Sequence, residues 1–483
     1  MPTLTVNGRA LELGELDPHT TVLELLRARG LVGSKEGCAE GECGACAVAL
    51  VREHPGAGSR YVAINSCLTL VGSIAGGEIV TVEGVRPRPD TLHPVQAAMV
   101  EEGGSQCGYC TPGFVISIFA EYYRRERPRW DPEAVAGNLC RCTGYRPIRD
   151  AMRSLGSPEP NDRFAARLDR PAPALGKLTQ LRRHGDRERR LIRPSSLAEA
   201  LELLAAEPEA KLVAGGTDVV VEVNQRDARW PLLISLEAVA ELRTLELGDE
   251  WITIGAGLSL SELEHRLGGA LPLLDELFPL FSSRLIRNRA TLGGNLVNAS
   301  PIGDSPPVLL ALDAELELIS AAGARTVPLA EFFTGYRQTR LAPTELLGKI
   351  RVPRRRPTHA HFYKVSKRVL DDISTVAAGF AIDLDQANTI TRVRLAYGGI
   401  AATPVRARAA EDALIGRPWT KASVAAIAPL LAQAGTPMSD HRGGADYRAA
   451  MIVRLLEKFL AETTLGRRLG PQPPAVHAQE VTR

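Results

Sequence analysis

The chain has 483 residues, 45% of them hydrophobic and 24% charged, with a formal net charge of +2. That length exceeds what one hydrophobic core organises and suggests three or four domains. The near-zero charge offers no bulk attraction to nucleic acid and no apolar run is long enough to cross a bilayer, so neither is expected as a partner.

Residues 3–13 alternate in polarity around Asn7-Gly8, which predicts a hairpin with a primed turn. A helix is expected from about Thr21 to Arg29, stopped by Gly30, with strands over Ala47–Val51, Tyr61–Ile64 and Glu78–Glu83. These make a small mixed sheet crossed by one helix, the β-grasp form of ferredoxins, ending near Val85 before Arg-Pro-Arg-Pro. From about 86 to 155 four helices are expected to open on Pro94, Pro112, Pro132 and Pro147, because proline's missing N–H costs nothing in a first turn. C-T-P-G in one half matches C-T-G-Y in the other, predicting a four-helix bundle of approximate two-fold symmetry with metal between its halves.

The stretch from about Arg163 to Arg193, with Arg182, Arg183, Arg189 and Arg190, reads as a solvated interdomain linker. From about Leu191 short strands and helices alternate, and two glycine pairs stand out. Gly215-Gly216 follows an apolar strand in K-L-V-A-G-G-T-D, and Gly293-Gly294 lies in T-L-G-G-N. A glycine pair at a strand end is either a plain turn or a backbone cradle for a pyrophosphate. No G-x-G-x-x-G with a following acid supports a Rossmann fold. After about Ile373 strands give way to helices, the most periodic being Ser423–Ala434 and Tyr447–Thr464, and the Pro-rich end from Gly470 reads as a disordered tail.

All eight cysteines fall into two sets. Cys38, Cys43, Cys46 and Cys67 read C-x4-C-x2-C plus one distant cysteine, the spacing of plant-type 2Fe–2S centres. Gly37, Gly41 and Gly44 give that loop a backbone able to bend sharply and aim N–H groups at sulfur. Cys107, Cys110, Cys140 and Cys142 form C-x2-C and C-x-C pairs just before the Pro112 and Pro147 helices, whose N-termini favour thiolates. A structural zinc site is the competing reading, more so for the second set. A disulfide framework is disfavoured because MPTLTVNG has no secretory features, so a reducing cytoplasm is expected.

The motifs C-A-E-G-E-C-G-A-C, Q-C-G-Y-C-T-P-G, L-C-R-C-T-G-Y-R-P, V-A-G-G-T-D and T-L-G-G-N-L-V-N-A-S-P-I-G-D, in this order, resemble the molybdenum hydroxylases of the xanthine dehydrogenase family. More narrowly, the chain is similar to small iron–sulfur/FAD subunits whose molybdopterin part is another polypeptide. The resemblance implies a multidomain α+β protein. Its expected parts are a ferredoxin-like domain over 1–85, a helical 2Fe–2S domain over 86–157 and a linker over 158–190. A flavin domain of the vanillyl-alcohol-oxidase type follows over 191–365, then a C-terminal domain like that of carbon monoxide dehydrogenase flavoproteins over 366–469 and a tail over 470–483.

It also implies that Leu212, Val213, Ala214, Gly215, Gly216, Thr217, Asp218 and Val219 embrace the FAD pyrophosphate, with Phe281, Thr291, Gly293, Gly294, Asn295, Asp304, Leu347 and Lys364 as further flavin contacts. Asp304 suits a ribose or adenine-side hydroxyl. Gln106 matches a residue near the pterin, at the subunit interface. Tyr336, in F-F-T-G-Y-R, matches a segment at the flavin's open face where NAD would approach, although F-F-x-x-Y read alone is also a core pattern. Asp371-Asp372 is either a solvated turn or the family's acidic loop near the isoalloxazine, and His359 and His361 read as structural or surface residues. The implied function is electron transfer from a molybdopterin-binding large subunit, through two 2Fe–2S clusters and FAD, to NAD, in an α2β2 heterotetramer. An aldehyde, carbon monoxide or N-heterocycle dehydrogenase is the alternative within the enzyme class; a maturation or interaction protein is the alternative outside it.

Overall fold

In a computed structural model describing residues 2–86, 90–125, 129–159, 162–184 and 187–469, Asn7 and Gly8 take φ of 54° and 78°. Positive φ at both central residues is what a type I′ turn requires, and it pairs β1 (Thr3–Val6) with β2 (Arg9–Glu12) in antiparallel register. The described chain divides into two units, Met1–Ala240 with Ser283–Ala290, and Glu241–Ser282 with Thr291–Arg483. The expected tail, 470–483, lies outside the described residues.

In the first unit, β3 (Ala47–Glu53), β4 (Ser59–Asn65) and β5 (Glu78–Val80) complete a mixed sheet of order β2-β1-β5-β3-β4. The third expected strand is shorter than predicted, because Val82–Gly84 turns into a 3-10 helix. Side chains alternate along β3: Val48 and Leu50 enter a core with Val22, Leu25 and Leu26 of the Val22–Ala28 helix. Ala47, Ala49 and Val51 face the other way, into a core with Phe114, Ile118 and Phe119 of the Thr111–Tyr122 helix. One strand therefore joins the β-grasp sheet to the helical segment.

That segment opens on prolines as expected, with helices Pro94–Glu101, Thr111–Tyr122 and Arg146–Ser154. The element at Pro132 is one 3-10 turn, Pro132–Val135, rather than a full helix.

The solvated-linker reading of 158–190 is corrected. Helix Arg163–Leu168 and the hairpin of β6 (Leu178–His184) and β7 (Arg187–Arg193) occupy it. β7 then joins β8 (Lys211–Val213) and β9 (Leu232–Ser235) in a sheet of order β6-β7-β9-β8. Leu191 is fully buried, and three of the arginines have partners: Arg189 pairs with Asp17 at 2.9 Å, Arg190 with Glu207 at 2.6 Å, and Arg182 donates to the Glu15 carbonyl at 3.1 Å. Local composition hid a strand pairing whose partners are distant in sequence.

The segment Ser283–Ala290 returns to the first unit on buried charges. Arg287 and Glu133, each 1% exposed, pair at 2.7 Å; Arg284 reaches Glu133 at 2.8 Å and Asp131 at 3.0 Å. Arg289 meets Glu237 at 2.9 Å, and Arg52 bonds the same carboxylate.

In the second unit β10 (Leu245–Leu247), β11 (Trp251–Gly255), β12 (Glu315–Ser320), β13 (Gly323–Pro328) and β16 (Leu346–Pro353) form a sheet of order β10-β11-β16-β12-β13. β14 (Phe333–Gly335) and β15 (Gln338–Thr339) make a small hairpin. A second sheet orders β17 (His359–Val365), β18 (Val376–Leu384), β19 (Ile390–Gly398) and β20 (Val405–Arg406). Along β18, Val376, Ala378, Phe380 and Ile382 enter a core with Ile452, Leu456 and Phe459 of the Ala445–Leu465 helix. The expected Ser423–Ala434 helix is broken into Lys421–Ala426 and Ala428–Ala432, with Pro429 in the first turn of the second. Among the described residues no helix is long and apolar enough to cross a membrane.

His93 caps the Pro94–Glu101 helix from inside an aromatic cluster. Its Nδ1 accepts from the Val95 N–H at 3.2 Å and its Nε2 lies 2.8 Å from the Tyr123 hydroxyl. Burial lowers its pKa from 6.5 to about 4. The unfolded chain binds this proton below pH 6.5 and the folded chain does not, so the stability His93 contributes is full above about 6.5 and lost toward pH 4. The difference in unfolding free energy between the native chain and His93→Gln, followed by chemical denaturation, is expected to shrink by about 3 kcal/mol from pH 7 to pH 4.

Candidate cofactor sites

Cys38, Cys43 and Cys46 lie on the loop between the Val22–Ala28 helix and β3, and Cys67 in the 3-10 turn Ser66–Leu68 that follows β4. The structure brings them together as two pairs. Cys46 and Cys67 are buried with their sulfurs 3.3 Å apart, and Cys38 is hydrogen-bonded to Cys43. The hydrogen bond from Cys43 draws Cys38 down to about 5 against desolvation, helped by the N–H groups of Glu40, Cys43 and Glu42. Cys43 is pushed up correspondingly. Cys46 is lowered by its hydrogen bond with Cys67 and, against desolvation, by the Cys67 N–H, while Cys67 is raised. Backbone N–H groups thus converge on the sulfurs, and the loop closes so tightly that a Cβ on Gly37 would lie 2.7 Å from Cys43 Sγ.

The second set pairs across its two segments, Cys107 with Cys142 and Cys110 with Cys140. Cys110 is the N-cap of the Thr111–Tyr122 helix, and desolvation followed by Cys140 raises it to about 12. Against desolvation, the Thr143 hydroxyl and N–H, 3.2 and 3.4 Å from its sulfur, lower Cys140. The Tyr109 N–H, then Cys142, lowers Cys107. Cys107 and Cys142 are exposed, as are Gln106, Tyr109 and Tyr145.

Among the described residues no three His, Cys, Asp or Glu side chains converge as they would about one metal ion. The sulfurs approach two by two. A tetrahedral zinc needs four donors about one point, whereas a four-cysteine 2Fe–2S cluster takes two thiolates on each of two irons. The donor chemistry fits the cluster.

In the first unit the expected flavin residues 212–219 run from β8 through Gly215 and Gly216 into the Val219–Arg226 helix. Gly215 answers to the protein itself: a Cβ there would sit 1.9 Å from the Arg289 carbonyl. Gly216, at φ 84°, makes the turn. A turn of this kind, with N–H groups at a helix start, fits a pyrophosphate.

The other expected flavin residues belong to the second unit. The Gly293-Gly294 pair lies in a short helix, Leu292–Val297, instead of at a strand end. Thr291 Oγ1 caps it by accepting from the Gly294 N–H at 2.9 Å, and Asn295 accepts from the Ser305 hydroxyl. Asp304 and Lys364, expected as separate contacts, pair with each other at 2.8 Å with side chains 9% and 2% exposed. The Ser374 hydroxyl donates to the other oxygen of Asp304, and Lys364 also donates to the Leu280 carbonyl at 2.7 Å, beside Phe281. Leu347 and Phe281 are buried.

The F-F-T-G-Y-R segment divides: Phe332 is fully buried, while Tyr336 is 61% exposed at the tip of the β14–β15 hairpin. Asp371 is 6% exposed at φ 50°, so a solvated turn does not describe it. His361 Nδ1 lies 2.9 Å from Glu276, a structural contact. Sequence reasoning missed the Ser283–Ala290 segment and the polar end of the Val219–Arg226 helix. Their only signals were charge and amide content, which carry no spacing.

Four family models match in order: a 2Fe–2S iron–sulfur cluster binding domain over residues 4–72, a 2Fe–2S binding domain over 81–153, an FAD binding domain in molybdopterin dehydrogenase over 186–355, and a CO dehydrogenase flavoprotein C-terminal domain over 361–463. A xanthine dehydrogenase of Emericella nidulans is 34% identical over 86% of this chain and 35% of its own length. The chain thus spans about a third of the curated relatives it matches. Among solved structures, a carbon monoxide dehydrogenase chain from Hydrogenophaga pseudoflava is similar at 32% identity and TM-score 0.53, over 56% of this chain and 95% of that one. A quinoline 2-oxidoreductase chain from Pseudomonas putida is similar at 25% identity and TM-score 0.53, over 57% and 97%.

Removing one member of a buried ion pair strands the other charge. Lys364→Met is expected to lower the unfolding free energy by about 3–5 kcal/mol, with most recovered when Asp304→Leu is added. Urea denaturation of both variants checks this; an unchanged Lys364→Met midpoint would mean the pair does not hold the unit together.

Proposed function

Since the chain belongs to the molybdenum hydroxylase family, with that family's two iron–sulfur domains and its FAD-binding domain, we propose that it is the electron-transfer subunit of a cytoplasmic xanthine dehydrogenase. In this reading two electrons leave hypoxanthine or xanthine at a molybdopterin centre on a separate large subunit, pass through two 2Fe–2S clusters to FAD, and reduce NAD. The clusters supply single-electron steps and the flavin joins them to a two-electron acceptor.

The observation that carries the reading is the closeness of the first cysteine set to the flavin turn. The carbonyl of Leu68, next to Cys67, would lie 3.2 Å from a Cβ on Gly216. Cys38, Cys43, Cys46 and Cys67 accordingly hold the cluster nearer the flavin, and Leu212–Val219 take the FAD pyrophosphate. Cys107, Cys110, Cys140 and Cys142 hold the other cluster, whose exposed Cys107 and Cys142 face the large subunit in an α2β2 assembly. Tyr336 and Asp371 are assigned to the approach of NAD.

An electron-transfer chain of another molybdenum hydroxylase, acting on an aldehyde, carbon monoxide or an N-heterocycle, is the second reading, favoured by the carbon monoxide dehydrogenase and quinoline oxidoreductase neighbours. The extent of alignment favours xanthine dehydrogenase, since those matches cover little more than half of this chain and the xanthine dehydrogenase matches most of it.

Copurification with an untagged large subunit, followed by assay with hypoxanthine and NAD, tests the assignment; activity on carbon monoxide or quinoline alone would favour the second reading. In the same complex Cys43→Ser is expected to stop hypoxanthine-to-NAD turnover while NADH oxidation by a dye through FAD persists. Equal loss of both activities would contradict the order of transfer.

A further inference from the structure

The Val219–Arg226 helix begins at the flavin turn and ends on the first cysteine loop, both within the first unit. Asn224, in its last turn, is half-buried, and asparagine is a modest helix former. Its Nδ2 donates to the Ala39 carbonyl at 2.8 Å and to the Cys67 carbonyl at 2.9 Å. A side-chain amide nitrogen has two hydrogens, and both are used. One group therefore clamps the two segments that carry the cysteines, Cys38 to Cys46 on one side and Cys67 on the other. Beside it, Gln225 Nε2 donates to the Cys38 carbonyl at 3.0 Å.

The carbonyl of Ala39 and the N–H of Glu40 belong to one peptide unit of the cysteine loop, next to Cys38. A donor on the carbonyl polarises that unit and makes its N–H a stronger donor, by about 10–30% per link. N–H bonds to sulfur stabilise the extra negative charge of a reduced cluster and raise its potential.

We propose that Asn224, assisted by Gln225, is a positioning residue that ties the first cluster to the flavin helix and raises that cluster's reduction potential through the Ala39–Glu40 peptide. The proposal rests on the reading of Cys38, Cys43, Cys46 and Cys67 as cluster ligands. It makes the helix that starts at the flavin turn also a determinant of the energy at which an electron arrives there.

The test is a redox titration of the purified full-length chain, following the electron paramagnetic resonance signal of each cluster. Asn224→Leu keeps the shape and removes both donors. It is expected to shift the one-electron equilibrium of the first cluster about threefold toward the oxidised form, about 28 mV lower at 59 mV per decade, with the second cluster unmoved. Gln225→Ala, at an exposed position, should shift the same cluster in the same direction by less, and Asn224→Gln, which keeps the amide, should restore part of the loss. An Asn224→Leu chain with native iron content and an unchanged first-cluster potential would overturn the proposal, as would an equal shift of both clusters. If Asn224→Leu loses the first cluster, Asn224→Ala, which removes the same donors without adding an apolar branch, decides by the same criterion. A native chain without an iron–sulfur signal would instead overturn the cluster reading itself.

Discussion

Holding sulfurs two by two is the constraint on which the rest depends. Bringing thiols within about 3–4 Å of one another sets up competition for protons, since two thiolates repel and desolvation penalises both. In the first site this gives Cys38 drawn down and Cys43 pushed up within one pair, and the same opposition between Cys46 and Cys67. A flexible loop would relieve the crowding by moving apart. Here it is held by N–H groups on one side and by the Asn224 and Gln225 amides on the other.

That frame extends through the first unit by two devices of different strength. β3 buries alternate residues in two cores, so the β-grasp sheet and the helical segment share a strand and cannot separate without exposing both. The Ser283–Ala290 segment adds charges that are costly to strand: Arg287 and Glu133 are each almost wholly buried, and buried pairs broken on one side cost far more than intact pairs contribute. The same segment lays the Arg289 carbonyl against Gly215, leaving no room for a side chain there, and Gly216 beside it makes the turn at φ 84°. Packing and backbone conformation demand glycine at adjacent positions for separate reasons.

Features set by neighbouring residues were legible in the sequence. Asn7-Gly8 gave its turn, the prolines at 94, 112 and 147 opened helices, and V-A-G-G-T-D led from strand to helix. Cysteine spacing identified the two sets, though not that each would divide into pairs. Non-local pairings were hidden. The arginines near 182–193 looked solvated because their partners, Asp17 and Glu207, lie elsewhere in the chain, and β7 finds its sheet only through β9. Asp304 and Lys364 were read one at a time, so their mutual ion pair could not be anticipated. Asn224 and Gln225 had only their amide content as a signal, since a donor to a backbone carbonyl leaves no pattern in the residue it contacts.

The central claim is that one polypeptide carries two iron–sulfur clusters and a flavin. Anaerobic reductive titration of the purified chain, with its iron, sulfide and FAD contents measured on the same sample, tests it most directly. The account predicts about four irons and one FAD per chain, and uptake of about four electrons, one for each cluster and two for the flavin. A colourless chain with zinc on its cysteines, or one that accepts electrons at a flavin alone, would contradict it.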